Sequence, residues 1–164
     1  MTSYSSPDPG ENKPPVLNSI EIDELLSMTL IANLATIDED GGVHLLPMWF
    51  LRMENDICIP TSSHTHKYRN LRARPCASVM IDVSKAGLNF KGALIKGQVE
   101  LVEGKEAQRI NRSIHLKYVT PEALSESSVA SYLSKGDDVT LKVHMDRLIS
   151  WNLSDSKAGQ ALRV

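Results

Sequence analysis

The sequence predicts a mainly β, α+β domain: a small barrel of six to seven mostly antiparallel strands with flanking helices. Three observations carry this. Apolar residues alternate with polar ones in short runs, most cleanly at Val139, Leu141, Val143 and Met145 against Thr140, Lys142 and His144. Turn-forming residues separate the runs, as in Asp38-Glu39-Asp40-Gly41-Gly42 and Glu54-Asn55-Asp56. Segments of helical period stand between the strands rather than dominating the chain. With 164 residues, 41% hydrophobic and 23% charged, the chain has the composition of one globular domain with a core.

The elements follow in order. Residues 1–17 hold Pro7, Pro9, Pro14 and Pro15 among serines and charges, which predicts a disordered arm. The domain proper is expected over 18–154, and 155–164 reads as a polar tail. Asn18 or Ser19 can cap a helix over 20–28 whose apolar face is Ile22, Leu25 and Leu26. Leu30–Ile37 reads as the first strand and Val43–Arg52 as the second. Both alternate sets of the second strand are mostly apolar, so both of its faces should be covered. One cover is the core; the other is a partner subunit, a flat ligand, or both. Pro47 has no amide hydrogen for a ladder, which fits an edge strand, or a strand whose backbone is left free for a ligand.

Strands are expected next at 57–61, 76–83 and 90–103, with a helix over 66–73 that Pro75 stops. Gly92 and Gly97 inside the long fifth strand point to a bulge or a close backbone approach. Ala107, Ile110, Ile114 and Tyr118 share one face of a helix over 104–118. Thr120-Pro121 opens another helix, expected to run to about Ser134 with Leu124, Tyr132 and Leu133 as its contacts. Ile149, Trp151 and Leu153 form a last strand.

Chemistry concentrates at Thr61-Ser62-Ser63-His64-Thr65-His66-Lys67-Tyr68-Arg69-Asn70. Hydroxyls crowd a turn that leads into a helix, and basic side chains follow at Lys67, Arg69, Arg72 and Arg74. A helix start presents unpaired amides and the positive end of the helix dipole, so this stretch is a candidate phosphate seat. The competing reading is a solvated, charged helix face.

The net charge of −2, and few aromatics beside the basic cluster, argue against nucleic acid as partner. No apolar run reaches the roughly 18 residues a membrane span needs, and the N-terminus lacks a signal pattern. Cys58 and Cys76 lie in apolar runs and read as buried free thiols, which fits a cytoplasmic protein. His64 and His66 lack a third ligand, so no metal is expected. Ser62 and Ser63 lack a nucleophile-elbow context, which argues against a hydrolase. His115 and His144 read as surface residues.

Several stretches together resemble one family. They are Ala35-Thr36-Ile37-Asp38-Glu39-Asp40-Gly41, Pro47-Met48-Trp49-Phe50, Thr61-Ser62-Ser63 with Lys67 and Arg69-Asn70-Leu71, Gly97-Gln98-Val99-Glu100, and the closing Ile149-Ser150-Trp151-Asn152. In order and spacing they resemble the pyridoxamine 5′-phosphate oxidase-like proteins that bind flavin or deazaflavin. The resemblance implies a split β-barrel that dimerises with itself, with two cofactor sites at the subunit interface. It places the ring system near Pro47, Met48, Trp49 and Phe50. It assigns the cofactor phosphate to Thr61, Ser62 and Lys67, with Arg69 and Asn70 nearby. Lys91 and Trp151 of the partner would close the site.

Leu46 and Leu51 stand where pyridoxamine-phosphate oxidases carry an arginine and a lysine, and the C-terminal arginine motif is absent. This argues against pyridoxine phosphate as substrate. The resemblance then implies an oxidoreductase that uses FMN or F420 to move a hydride to or from a small organic molecule, with no obligatory acid or base in the protein. FMN is the default if the host makes no F420. The alternative is a non-catalytic carrier or sensor of FMN, F420 or haem.

Overall fold

The computed structural model describes residues 16–85, 89–136 and 138–154. The tail at 155–164, the arm up to residue 15 and the Tyr132 and Leu133 side chains lie outside what it describes. The arm's end is already docked: Leu17 is buried, and its amide donates to Ser150 Oγ at 3.1 Å.

The chain forms α1 (Ser19–Ser27), β1 (Ala32–Ile37), β2 (Val43–Met48), β3 (Leu51–Met53), β4 (Asp56–Thr61), α2 (His66–Ala73), β5 (Cys76–Lys85), β6 (Asn89–Glu103), α3 (Gly104–Tyr118), α4 (Pro121–Ser125), α5 (Ser127–Gly136), β7 (Val139–His144) and β8 (Arg147–Asn152). That is eight strands among the described residues, against the six or seven expected. The expected second strand is two, because the ladder lapses at Trp49–Phe50. The expected helix from Thr120 is also two, broken at Glu126, whose amide closes back on Ala123 O.

All pairings are antiparallel, in the order β2-β1-β5-β6-β7-β4-β3, with β8 also on β6. β6 is what splits the barrel. Its first part pairs with β5 and β8, and Val99–Glu103 pairs with β7. Gly97 sits at the switch, where a Cβ would overlap the His144 carbonyl oxygen. Only glycine lets the two backbones pass so closely.

The period-2 pattern sends Ala32, Leu34 and Thr36 inward, where they meet Phe50, Ile57, Ile59, Val79, Ile81, Ile95, Leu141 and Val143. Leu25 and Leu26 of α1 plug the same core. Asn18 starts α1 with a capping box: its Oδ1 accepts from the Glu21 amide, and Glu21 returns the bond to the Asn18 amide. A second, smaller core lies under α3, from Ile110, Ile114 and Cys58 with Trp49, Leu51 and Tyr118 against it.

The other face of β2 is open. Val43 and Leu45 are 67% and 60% exposed, and Met80, Phe90 and Ile149 extend the apolar surface. Pro47 is exposed too and is still in register, opposite Asn33. β2 is thus an edge strand, as one reading of Pro47 had it, and the break in pairing comes two residues later. Cys58 is buried, but Cys76 is exposed, which corrects the expectation for that thiol; it alternates with Ala77 and Val79 and falls on the outer face.

Candidate anion-binding turn and its surroundings

β4 delivers the chain to a tight turn at Ser62–Thr65, closed by the Thr65 amide on Ser62 O at 3.1 Å, and α2 starts there. The hydroxyl hydrogens can be traced one by one. Thr65 Oγ1 donates to Ser62 O at 2.7 Å, so in the 3.1 Å contact with Thr61 Oγ1 it is the acceptor. Ser63 donates through both its amide and its hydroxyl to Asp138, at 2.8 and 2.5 Å. Ser62 Oγ accepts the His64 amide at 3.3 Å, and its own hydrogen has no acceptor among these bonds. α2 also has no side-chain cap, so its first amides keep their polarity for an outside acceptor. Lys67, in the first turn, is 9% exposed, and Arg69 is exposed.

Asn70 does something other than face an anion. It is buried, and its Nδ2 donates to Thr36 Oγ1 at 3.1 Å and to Asp38 Oδ1 at 2.7 Å. His66 Nε2 meets the same Asp38 oxygen at 2.9 Å and stacks on His44, ring centroids 4.9 Å apart. These bonds pin α2 to the β1–β2 hairpin. The Asn70 amide, with His66 adding to it, holds the Asp38 carboxyl below the usual carboxylate range. The Ser63 hydroxyl does the same for Asp138.

An open cavity of about 590 Å³ lies on the hairpin side of α2. Arg69 and Asn70 line it, but Thr61, Ser62, Lys67 and residues 47–50 do not. Its lining mixes Asp38, Glu39 and Asp40 with Arg74, so its charge selects no anion. The donors at the turn are the stronger indication of what binds.

The residues expected beside a ring are divided. Met48 packs toward the core. Trp49 stacks on Tyr118 at 5.0 Å, with His115 edge-on at 6.2 Å. Phe50 is fully buried. Their side chains therefore belong to this chain's own packing, and only Pro47 is exposed. Tyr118 fixes the break between β2 and β3. Its hydroxyl accepts the Phe50 amide at 3.3 Å and donates to Leu30 O at 2.5 Å. His115 is buried against Trp49, and His144 Nδ1 lies 2.6 Å from Asp56 Oδ1, so neither is the free surface residue expected.

Lys91 pairs with Asn152, and Gly92 pairs with Trp151. Neighbouring pairs alternate, so Lys91 and Trp151 stand on opposite faces of the sheet. Trp151 lies across Gly92, and its buried Nε1 has no hydrogen-bond partner. Sequence reasoning missed Asp38, Asp138 and Tyr118 as organisers of the site. Asp38 had a signal as a turn residue and as part of the Ala35–Gly41 stretch, neither of which gave it this role.

No group of three or more histidines, cysteines or acids is placed to hold a metal among the described residues. None of their helices is long and apolar enough to cross a membrane. A family model described as pyridoxamine 5′-phosphate oxidase matches residues 19–152. No curated protein matches the chain in sequence. Among solved structures, a conserved hypothetical protein from Mycobacterium tuberculosis is 27% identical, covering 86% of this chain and 90% of its own, with a TM-score of 0.71. An F420 reductase is 21% identical over 77% of this chain and 94% of its own, with a TM-score of 0.61. A haem storage protein from Vibrio cholerae is 17% identical over 83% and 97%, with a TM-score of 0.63. The last two, at that identity, share the fold alone.

Proposed function

The chain belongs to the pyridoxamine 5′-phosphate oxidase family, and on that premise we propose that it is an FMN- or F420-dependent oxidoreductase acting as a homodimer on a small organic molecule. The observation that carries this is the turn before α2: an uncommitted Ser62 hydroxyl hydrogen and an uncapped helix start, followed by Lys67 and Arg69. Those groups fit a phosphate ester, which both cofactors have. Ser62, Lys67 and Arg69 would hold it, while Thr61 supports the turn through Thr65 and Asn70 anchors the helix behind it.

Bound FMN or F420 supplies the hydride chemistry. The protein's part is to hold the ring, keep water out and admit the substrate. The exposed apolar face of β2, β5 and β8 supports a second copy of the chain as the cover the ring needs. The carrier reading draws on the haem storage neighbour. Three of the five histidines are committed, His66 to Asp38, His144 to Asp56 and His115 to the interior, so a haem would have to use His44 or His64, and this stays the second reading.

The test is titration of the purified protein with FMN and with F420, followed by tryptophan fluorescence. Tight binding of one is expected. Lys67→Ala should weaken it by about 1–3 kcal/mol, the worth of a charge-assisted bond. Binding of neither cofactor would overturn the proposal, and an unchanged affinity in the variant would remove Lys67 from the site.

A further inference from the structure

We infer that Asp138 sets the anion selectivity of the turn before α2, by taking both Ser63 donors and leaving a negative charge in the turn's hydrogen-bond shell. The inference rests on the proposed phosphate seat and goes beyond it. The chain places Ser62 and Ser63 side by side at the turn, and as a sequence they look like equal donors. They are not. Ser63 spends its amide and its hydroxyl on the two oxygens of one carboxylate, at 2.8 and 2.5 Å. Ser62 spends neither oxygen lone pairs nor hydrogen on a charged group.

Asp138 lies just before β7, 75 residues away, so it is no product of local turn chemistry. The same corner holds a second acid: Tyr68 donates to Glu103 Oε1 at 2.8 Å, and Asp138 also acts on Tyr68 electrostatically. Against these stand His64, which acts on Asp138, and Arg72, which acts on Tyr68. Asp138 is bonded to the residue next to Ser62, so an anion held by Ser62 and the helix amides would lie in the field of that carboxylate. That arrangement limits how much negative charge the turn accepts. It favours a phosphodiester or a singly charged phosphate over a dianion, and so disfavours the terminal monoester of FMN relative to a phosphodiester cofactor such as F420. Asp138 is exposed, so its repulsion is screened and its effect is modest.

The experiment compares wild type with Asp138→Asn, whose amide keeps an acceptor and a donor for Ser63 but carries no charge. FMN, riboflavin (the same ring without phosphate) and F420 are titrated into each, at low and at high salt. Asp138→Asn should bind FMN about three- to fivefold more tightly at low salt, an increment set by one screened charge. F420 should gain less, riboflavin nothing, and the FMN gain should shrink at high salt. Ser63→Ala, which keeps the charge, should give no such gain. If Asp138→Asn does not fold, Asp138→Ala removes the same charge and gives the same comparison. An FMN affinity that is unchanged or weaker, or a riboflavin affinity that moves equally, overturns the role of Asp138 and leaves the cofactor reading standing. Binding of none of the three to wild type or variant sinks both.

Discussion

Lys117 shows how a single residue's neighbours set its chemistry. Its Nζ stands 3.8 Å over the Phe50 ring and 5.6 Å from Tyr118, with Leu26 O at 3.5 Å. The aromatic faces attract the cation and recover part of its lost hydration. Burial still lowers its pKa from 10.5 to about 8. The folded pKa lies below the unfolded one, so the unfolded chain binds more protons between them and stability rises with pH across that window. Lys117→Met should therefore raise the thermal midpoint near pH 7, and the gain should fade as pH climbs past about 8 toward 10.5. A difference that does not vary with pH would show that burial of the charge is not what the substitution relieves. Cys58 follows the same logic with the opposite sign for an acid: burial pushes its thiol up to about 11, which makes it inert near neutrality.

At the scale of elements, β6 decides the architecture. One strand serves two half-sheets only if its backbone passes β7's end without a side chain between, and Gly97 provides that. Gly97→Ala should destabilise the protein by about 1–3 kcal/mol or more, as overpacking against backbone does. Denaturant midpoints measure it, and a loss below about 0.5 kcal/mol, the range of ordinary surface changes, would mean that the two strands can part. Glycine inside this strand was legible as a close approach; what approaches it was not. α2 gives a similar lesson. Its extent could be read from Pro75 and the helical pattern. Its attachment through Asn70, Thr36 and Asp38 could not, because the partners lie 34 and 32 residues away.

At the scale of the whole molecule, the outer face of β2 has no cover among the described residues of the single chain. Val43, Leu45, Met80, Phe90 and Ile149 make an apolar surface that the single chain leaves in water. A second copy is the proposed cover. The residue that tests this is Leu45, which is exposed on that face, whereas Trp49 is spent on Tyr118 and the core under α3. Leu45→Asp leaves the chain's own core untouched and puts a charge in the proposed interface. Light scattering should show a dimer for wild type and a monomer for the variant. A variant that stays dimeric would move the interface elsewhere.

The class of fold, most strand positions, the cap at Thr120, a cap at Asn18 or Ser19, and the turn-then-helix pattern at 61–73 are all legible in the sequence. Those features depend on period, turn chemistry and caps, which act over a few residues. Packing in three dimensions selects Asn18 as the cap, settles which hydroxyl at the turn stays uncommitted, turns Trp49 and Phe50 inward, and puts Lys91 and Trp151 on opposite faces. It also decided that Asp38 and Asp138 organise the site. The reason is physical: a polar group's role depends on which donor or acceptor satisfies it, and here the satisfying groups come from strands and turns that local pattern cannot bring together.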